Sequence, residues 1–375
     1  MSKKLLHTPE GVRDIYGREF ERKLSVEAKL NQVIGSFGYE AIQTPTFEFF
    51  DVFSKEIGTT PSKELYKFFD KEGNTLVLRP DFTPSIARCA AKYFMEDHFP
   101  LRFCYVGNTF TNTSNLQGKL KEVTQMGAEL INDGSVEADA EMISMVIEAL
   151  KSTGLENFRI SIGQVEYFKG LCEEAGLDEE TENELREYIS GKNYFAAQAL
   201  LSERNVKEPY HGILLQVADI FGGMNSLSEA KKLVKNERSL KAIERLEQLR
   251  EVLKLYGVEQ YVSFDLGMLS KYHYYTGIIF KAYTYGLGDA LVKGGRYDNL
   301  LRQFGKDAPA VGFVIVIDDL LEALSRQKVA IPLKEKKQII TYTEADFAEK
   351  LSQAGKLRQQ GIAVELVRKG NGQNE

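Results

Sequence analysis

Two stretches of sequence decide the fold, LRFCYVGNTF over residues 101–110 and KEVTQMGAELI over residues 121–131. Both are predicted to be β-strands. Residues 116–119, which include Gly118, supply a turn between them. The sequence therefore predicts a hairpin of two long antiparallel strands, and the rest of the chain is interpreted around it.

The second strand of this hairpin carries an unusual polar face. Gln125, Gly127 and Glu129 share that face because side chains on a strand alternate with a period of two. The glycine is expected to leave open space between the amide and the carboxylate. Asp81 and Thr83 are likewise two residues apart. Unpaired polar groups are costly to bury, so this face is either the floor of a ligand site or a polar surface in contact with solvent.

The N-terminal region predicts a helix followed by a strand. Apolar residues recur at helical spacing over residues 19–37, and Gly38 supplies the end of the helix. Residues 39–47 then alternate in polarity and are predicted to form a strand that contains Pro45. This order of elements is common and does not identify a family by itself.

The rest of the chain predicts further strands and helices, with a helical insertion between two groups of strands. Strands are expected at 75–79, 261–266, 274–284 and 287–293, a helix at about 85–94, and an apolar strand or helix edge at 309–317. Helices are expected at 179–190, 194–203, 227–234 and 240–256, with no strand of note among them. The predicted domains are a first core part at 1–165, the insertion at 166–257 and a second core part at 258–328.

The C-terminal segment, residues 329–375, predicts a short separate appendage. Residues 339–342 and 363–367 are expected to be strands, and residues 345–360 a helix between them. A lone β-α-β unit of this size cannot cover both faces of its own sheet. We therefore expect it to pack against the core or against a partner.

Composition places the chain among ordinary globular proteins. It has 375 residues, a hydrophobic fraction of 43% and a net charge of −6. No apolar run approaches the roughly 20 residues needed to span a bilayer. The N-terminus lacks the apolar region of a signal peptide. A cytoplasmic protein without membrane contact is expected.

Cysteine and histidine spacing gives no sign of a bound metal. Cys89, Cys104 and Cys172 are scattered, and the four histidines have no ligand spacing either. No run of five or more Lys or Arg residues occurs, and the acidic net charge neither requires nor excludes tRNA binding. We expect no metal and no cofactor.

Five short motifs, taken together, resemble the catalytic core of a histidyl-tRNA synthetase, which is a class II aminoacyl-tRNA synthetase. They are LRPDFT at 78–83, YVGNTFTNT at 105–113, QMGAE at 125–129, YYTG at 274–277 and GGRYD at 294–298. The N-terminal helix and strand resemble the first class II signature, which builds the dimer interface, and the hairpin resembles the second. The resemblance spans roughly residues 5–325. It implies an α+β, class II synthetase-like fold, with an antiparallel sheet core, flanking helices and a helical insertion.

This resemblance implies a histidine-binding pocket. The residues that match its motifs are Asp81, Thr83, Gln125, Glu129, Tyr274, Tyr275 and Tyr297. Asp81, Thr83 and Gln125 would gather the α-amino group, Glu129 and Tyr275 would address the imidazole, and Tyr297 would close one side. A neutral imidazole has one donor and one acceptor nitrogen, which a carboxylate and a phenol can satisfy. The synthetases carry Glu in place of Asp81, so reach to the amino group is expected to involve a water.

The positions at which the synthetases hold the charges that handle ATP are changed. They are Thr111, Thr113, Ser270 and Asp319. Thr111 and Thr113 replace the Arg and Glu of a Phe-Arg-x-Glu run and are expected on one strand face, while Asp319 and Ser270 each replace an arginine. Stabilising negative charge in the transition state is usually the largest catalytic term. Asp319 would repel ATP, so we expect no adenylate formation.

A synthetase-like chain with these losses and a short C-terminal unit is similar to the regulatory subunits of ATP phosphoribosyltransferase. The resemblance implies a non-catalytic chain that assembles with a short-form catalytic subunit for the first step of histidine biosynthesis. It further implies feedback inhibition by histidine, a homodimer within a larger hetero-oligomer, and no role for tRNA.

Two alternatives remain open at this point. One is an active enzyme, either a divergent histidyl-tRNA synthetase or another amino-acid ligase. The other is a regulator of a different enzyme, or a module that binds a tRNA mimic and has no affinity for histidine.

Overall fold

The computed structural model describes residues 6–53, 60–113, 119–269, 274–333 and 337–370. Its strands are β1 (Glu40–Ala41), β2 (Phe47–Phe49), β3 (Lys67–Phe69), β4 (Thr75–Leu78), β5 (Leu101–Phe110), β6 (Glu122–Ile131), β7 (Phe158–Gln164), β8 (Phe221–Gly222), β9 (Val262–Asp265), β10 (Ile278–Thr284), β11 (Val292–Arg296), β12 (Ala310–Val316), β13 (Gln338–Tyr342) and β14 (Val364–Arg368). Its helices are α1 (Gly17–Ser36), α2 (Thr83–Tyr93), α3 (Val136–Ser152), α4 (Val165–Glu174), α5 (Glu179–Ser190), α6 (Tyr194–Glu203), α7 (Tyr210–Gln216), α8 (Met224–Leu233), α9 (Glu237–Leu255), α10 (Ile317–Arg326) and α11 (Phe347–Gln359).

The predicted hairpin is present as β5 and β6. The two strands are antiparallel, with Leu101 opposite Ile131 and Phe110 opposite Glu122. The first strand has the predicted bounds, and the second begins one residue later than predicted. Most of the predicted turn lies outside the described residues. This pairing fixes which residue of β5 stands opposite each residue of the polar face on β6.

The hairpin belongs to a sheet with the strand order β1-β5-β6-β12-β11-β10-β7-β9-β8. Neighbouring strands from β5 to β7 are antiparallel, whereas β1–β5 and β7–β9 are parallel pairs. The class expected from the sequence, α+β with an antiparallel sheet core, is confirmed.

One face of this sheet is packed against helices. Helix α3 lies against β11 and β12 and also against α1 and α9. Met126, Ala128 and Leu130 of β6 are buried in the core that includes α3. Because side chains alternate along a strand, Gln125, Gly127 and Glu129 lie on the opposite face of the sheet. That opposite face is where the candidate site is found.

Helix α1 agrees with the prediction, but the single strand expected over residues 39–47 is wrong. The chain forms β1, which pairs with β5, and β2, which belongs to a smaller antiparallel sheet of order β2-β4-β3. Between them, the carbonyl groups of Thr44 and Pro45 accept hydrogen bonds from the Arg79 guanidinium, at 3.0 and 3.2 Å. A side chain thus takes the place of a neighbouring strand at this point, and Pro45 has no N–H to offer one.

The segment between β7 and β9 is mainly helical, as predicted. Helices α5 and α6 have the predicted bounds, and α8 and α9 begin three residues before the predicted starts. The expectation that no strand interrupts them needs correction, since β8 pairs with β9. Helices α4 and α7 were not identified from the sequence, and neither was α3 outside this segment. Apolar residues of α9, such as Leu246 and Leu253, are fully buried against the core.

Strand positions after β9 differ from prediction by a few residues. The strand expected at 287–293 is β11 at Val292–Arg296, and the strand expected at 274–284 starts only at Ile278. Residues 285–291 are instead occupied by a turn, whose Gly286 has a positive φ of 92°. The apolar segment at 309–317 is a strand rather than a helix edge.

The chain divides into two compact units, Met1–Ile331 and Pro332–Glu375. The second contains the predicted β-α-β arrangement, in which β13 and β14 are parallel and α11 connects them. The segment at 166–257 belongs to the first unit together with the sheet. In the part of the chain that the structure describes, no helix is both long enough and apolar enough to cross a bilayer.

Candidate functional site

A cleft of about 1310 Å³ lies over the face of β6, β11 and β12 that is turned away from α3. It is lined by every residue implied as histidine-binding: Asp81, Thr83, Gln125, Glu129, Tyr274, Tyr275 and Tyr297. Thr111, Thr113 and Asp319, three of the positions with lost ATP-handling charges, line the same cleft. The fourth, Ser270, lies outside the described residues. Residues far apart in sequence therefore converge on one concave surface.

Glu129 forms the floor of the cleft. Its side chain is 1% exposed. Thr83 Oγ1 donates a hydrogen bond to Oε1 at 3.1 Å, and the Tyr297 hydroxyl donates one to Oε2. Burial raises the pKa of Glu129 to about 8, and the charge of Asp81 adds to the rise, whereas the bonds from Tyr297 and Thr83 lower it. The carboxyl is therefore mostly protonated at neutral pH.

Glycines make room for these side chains. Gly312 of β12 stands opposite Glu129, and a Cβ on Gly312 would collide with the Glu129 carboxyl group. Gly295 of β11 stands opposite Gly312, and a Cβ there would lie 2.7 Å from the ring of Tyr275. These two glycines thus define the space in which the carboxyl and one phenol can lie over the sheet.

The expected open space at Gly127 is a wrong prediction, because Tyr105 fills it. Tyr105 stands directly opposite Gly127, and its ring would collide with any Cβ there. The Tyr105 ring stacks on Phe82 at 4.3 Å between centroids, and the Arg79 guanidinium lies 4.1 Å from the Phe82 ring centroid. Tyr105 lies in the YVGNTFTNT motif, but no role was predicted for it from the sequence. Its place opposite Gly127 follows from the hairpin register and could have been found that way.

Asp81 and Thr83 are not on a strand face, which corrects the expectation drawn from their spacing. Asp81 lies in the bend after β4, and Thr83 is the first residue of α2. The backbone N–H of Thr83 donates to Asp81 Oδ1 at 3.1 Å, which closes a local turn. This turn brings the Thr83 hydroxyl to Glu129, and it places Asp81 at the cleft beside the buried carboxyl.

Three tyrosines form an aromatic wall. Tyr274 and Tyr275 lie just before β10, and Tyr297 directly follows β11. The ring centroids of Tyr274 and Tyr275 are 4.5 Å apart, and those of Tyr274 and Tyr297 are 5.9 Å apart in an edge-to-face arrangement. A planar ring can be held against such a wall while its polar edge meets the Glu129 carboxyl.

The positions with lost ATP-handling charges are neutral or acidic. Thr111 and Thr113 lie beyond the end of β5 rather than on a strand, yet both contact the cleft, and Asp319 lies in the first turn of α10. Burial raises the pKa of Asp319, nearby Asp289 adds to the rise, and Lys293 opposes it. The surroundings of Asp319 therefore already disfavour its charged form, and a nearby phosphate would disfavour that form further.

Six basic side chains also line the cleft: Arg13, Arg22, Lys119, Lys293, Arg326 and Lys328. Three of them form ion pairs with acids. Lys293 lies 3.3 Å from Asp289, Arg13 pairs with Glu19, and Arg326 pairs with Glu322. Within the described ranges, no group of His, Cys, Asp and Glu has the arrangement of a metal site. The arrangement is suited to binding a small amphoteric ligand at Glu129.

A buried network of charged side chains lies next to the site. Arg296, which precedes Tyr297, is 3% exposed and donates from Nε to Asp139 Oδ1 at 2.8 Å. Arg245 of α9 donates to the other oxygen of Asp139, and Asp298 accepts a bond from Arg296 at 3.2 Å. The sequence pointed to Arg296 and Asp298 only as part of a motif. The central acid of the network, Asp139, lies on a helix far from Arg296 in the sequence, so the network gives no local signal.

The sheet, its hairpin and the cleft define a class II aminoacyl-tRNA synthetase-like protein. A family profile described as histidyl-tRNA synthetase matches residues 11–320. The solved structure of histidyl-tRNA synthetase from Nostoc sp. PCC 7120 is similar in fold, with a TM-score of 0.81 at 20% identity over 98% of this chain and 86% of that one.

Two further comparisons are more specific. The ATP phosphoribosyltransferase regulatory subunit of Acetivibrio thermocellus is 42% identical over 96% of this chain and 86% of its own. A solved structure named as an ATP phosphoribosyltransferase regulatory subunit/histidyl-tRNA synthetase from Bacillus halodurans C has a TM-score of 0.90 and 33% identity, covering 99% of this chain and 94% of that one. The chain belongs to the family of ATP phosphoribosyltransferase regulatory subunits. The prediction of a regulatory rather than a catalytic subunit is confirmed by the name of the Acetivibrio thermocellus relative.

Proposed function

We propose that this chain binds histidine in the cleft and transmits feedback inhibition to a short-form ATP phosphoribosyltransferase catalytic subunit, which needs the chain for activity. The observation that carries the proposal is the buried Glu129 carboxyl, held by Thr83 and Tyr297 beside Asp81 and the tyrosine wall. A site that hydrogen-bonds both ring nitrogens rejects apolar analogues strongly, because its buried polar groups would be left unpaired.

The proposed contacts are those that the synthetase resemblance implies, and they are supported by the presence of all these side chains in one cleft. Asp81, Thr83 and Gln125 gather the α-amino group, and Glu129 and Tyr275 take the two ring nitrogens. Tyr297 holds Glu129 in place and closes one side, while Tyr274 extends the wall. Asp81 lies at a turn held by the Thr83 amide, so its carboxylate is oriented before the ligand arrives.

Inhibition requires that histidine bind two arrangements of the assembly unequally. A ligand shifts an equilibrium only by its difference in affinity for the two states. A coupling of about 1–3 kcal/mol is usual for linkage of this kind. In this proposal, histidine favours the arrangement in which the catalytic subunit is less active.

The proposal includes a homodimer inside a larger hetero-oligomer, located in the cytoplasm. Phe20 and Leu24 lie one turn apart on α1 and are exposed, and Tyr16 immediately before α1 is exposed as well. Contiguous apolar surface of this kind commonly marks a protein–protein contact. It supports self-association through the helix that resembles the first class II signature.

The test uses the chain together with its catalytic subunit. The wild-type assembly is expected to be active and to be inhibited by histidine. Glu129→Ala is expected to support activity while raising the inhibiting histidine concentration at least about tenfold, the equivalent of 1.4 kcal/mol. A matched control is Glu141→Ala, since Glu141 also accepts a bond from a tyrosine, Tyr39 at 2.7 Å, but does not line the cleft.

Two results would reject parts of the proposal separately. A catalytic subunit that neither associates with the chain nor depends on it would reject the partner. Inhibition that Glu129→Ala leaves unchanged would reject the site. The alternative of an active ligase predicts histidine-dependent exchange of pyrophosphate into ATP, whereas the loss of ATP-handling charges at Thr111, Thr113 and Asp319 predicts none.

A further inference from the structure

We propose that Glu129 and the imidazole ring of the bound ligand hold a single proton between them, so that the pocket takes up histidine without net proton exchange near neutral pH. This inference rests on the proposed function, because it specifies how the same site recognises its ligand. It concerns the protonation state of the complex, which neither the fold nor the family determines.

The surroundings of Glu129 disfavour a bare carboxylate in the empty pocket. The groups that face it are Asp81 from the turn before α2, Thr83 from α2, Tyr105 from β5, Tyr275 from the segment before β10 and Tyr297 after β11. All of these are neutral or acidic. Among the described residues, no Lys or Arg forms an ion pair with Glu129 within 4.0 Å, so its negative charge has no direct counter-charge. Burying such a charge without a partner is costly.

The pKa of Glu129, raised to about 8 by burial and by Asp81, agrees with this geometry. The empty pocket therefore carries one proton on the carboxyl group over the neutral range. A neutral imidazole presents one nitrogen as an acceptor, to which that carboxyl can donate. Whether the proton stays on oxygen or moves to the ring nitrogen, the complex contains one.

The proton balance then differs in three ranges of pH. Between the pKa of a free imidazole, about 6.5, and that of Glu129, the empty pocket carries one proton and the free ring carries none. The complex also contains one proton, so binding exchanges none with the solvent. Above the pKa of Glu129, the carboxyl group and the ring are both unprotonated before they meet, so binding takes up one proton. Below about pH 6, the ring and the carboxyl both arrive protonated, and binding releases one. Affinity falls about tenfold per pH unit on either side of the neutral plateau.

The experiment is calorimetric titration with histidine in buffers of different ionisation enthalpy, which counts the protons exchanged. The matched variant is Glu129→Gln, whose amide can donate to the ring nitrogen but has no proton to lose. The α-amino group of histidine also titrates at alkaline pH, and it does so equally in both proteins. At about pH 9, wild type is expected to take up about one proton more than the variant, and at pH 7 the two are expected to agree.

Equal proton uptake by the two proteins at pH 9 would overturn the shared proton while leaving histidine binding intact. No binding by wild type at any pH would instead remove the proposed function itself. Tyr297→Phe provides a second test that does not depend on the Gln variant. Because the Tyr297 bond lowers the pKa of Glu129, its removal is expected to move the alkaline loss of affinity to higher pH. An alkaline limb that stays in place or moves down would contradict the inference.

Discussion

At the scale of single residues, the site depends on the absence of a side chain at Gly312, which stands opposite Glu129. Gly312 leaves the space that the Glu129 carboxyl occupies, and the two residues are paired across β6 and β12. A methyl group at this position would force the carboxyl out of its bonds with Thr83 and Tyr297.

Gly312→Ala is therefore expected to weaken histidine binding at least about tenfold, the equivalent of 1.4 kcal/mol. It is also expected to lower the melting temperature, because the backbone carbonyl of Ala128 crowds the same space. Calorimetry would measure the binding. Gly35→Ala serves as the control, since that glycine lies in α1 with open space where its Cβ would be. Wild-type affinity in Gly312→Ala would show that the carboxyl does not need this space.

The buried Glu129 also predicts a particular pH dependence of folding. Its pKa is raised from 4.5 to about 8, so the folded chain holds a proton that the unfolded chain releases. This contribution to stability is complete below the unfolded pKa, declines as pH rises, and is fully lost above the folded pKa.

Glu129→Gln is expected to remove this decline. Between pH 5 and pH 8, the free energy of unfolding of the variant should gain on that of wild type by up to about 1.4 kcal/mol per pH unit. Urea denaturation at several pH values measures the difference, and other titrating groups cancel because both proteins share them. Parallel pH profiles for the two proteins would contradict a buried, protonated Glu129.

The sequence predicted the polar residues of the cleft but not the way in which they are held. Glu129, Thr83 and Tyr297 were grouped by motif, and the structure brings them within hydrogen-bonding distance. The spacing of Asp81 and Thr83 suggested a strand, whereas a turn and a helix start produce their arrangement. Tyr105 over Gly127 was missed, because periodicity on one strand says nothing about the side chain opposite.

At the scale of secondary-structure elements, the Asp139 network joins the sheet to two helices. Asp139 of α3 is 0% exposed and receives bonds from Arg296 of β11 and Arg245 of α9. Removing one partner from a buried ion network leaves uncompensated charge, which costs about 3–5 kcal/mol.

Asp139→Ala is accordingly expected to lower the free energy of unfolding by about 3 kcal/mol or more. Denaturant unfolding monitored by circular dichroism would measure it. Asp307→Ala is the control, because Asp307 pairs with Arg302 at 2.7 Å on the exposed surface, where such pairs contribute little. Equal stability of the two variants would show that the network does not hold α3 and α9 to the sheet.

Some elements with a clear local pattern were predicted well, but helix α3 was missed despite its Ser135 cap, and elements defined by distant partners were not predicted. The hairpin strands and helices α5 and α6 agree within a residue, since alternation or capping residues mark them. Residues 39–47 split into β1 and β2 because Arg79, more than thirty residues later, bonds the intervening carbonyls. No pattern within that segment reveals this contact.

At the scale of the whole molecule, the candidate site belongs to one compact unit. All residues that line the cleft lie before Pro332, where the second unit begins. Ile339, Phe347 and Leu351 of the second unit are exposed, which agrees with the expectation that this β-α-β unit needs a further surface to cover it.

A chain that ends at Ile331 is therefore expected to bind histidine with unchanged affinity, as measured by calorimetry. Its melting temperature provides the control for folding. If the shortened chain folds but loses histidine binding, the C-terminal unit contributes to the site and the account of the cleft is incomplete.

The central claim is that this synthetase-like cleft has kept its histidine pocket while its ATP-handling charges are gone. Calorimetric titration of the purified chain with histidine tests it most directly. We predict saturable binding of one histidine per chain, which Glu129→Ala weakens at least about tenfold and Glu141→Ala preserves. Absence of binding up to millimolar histidine, with the catalytic subunit present as well as without it, would contradict the claim.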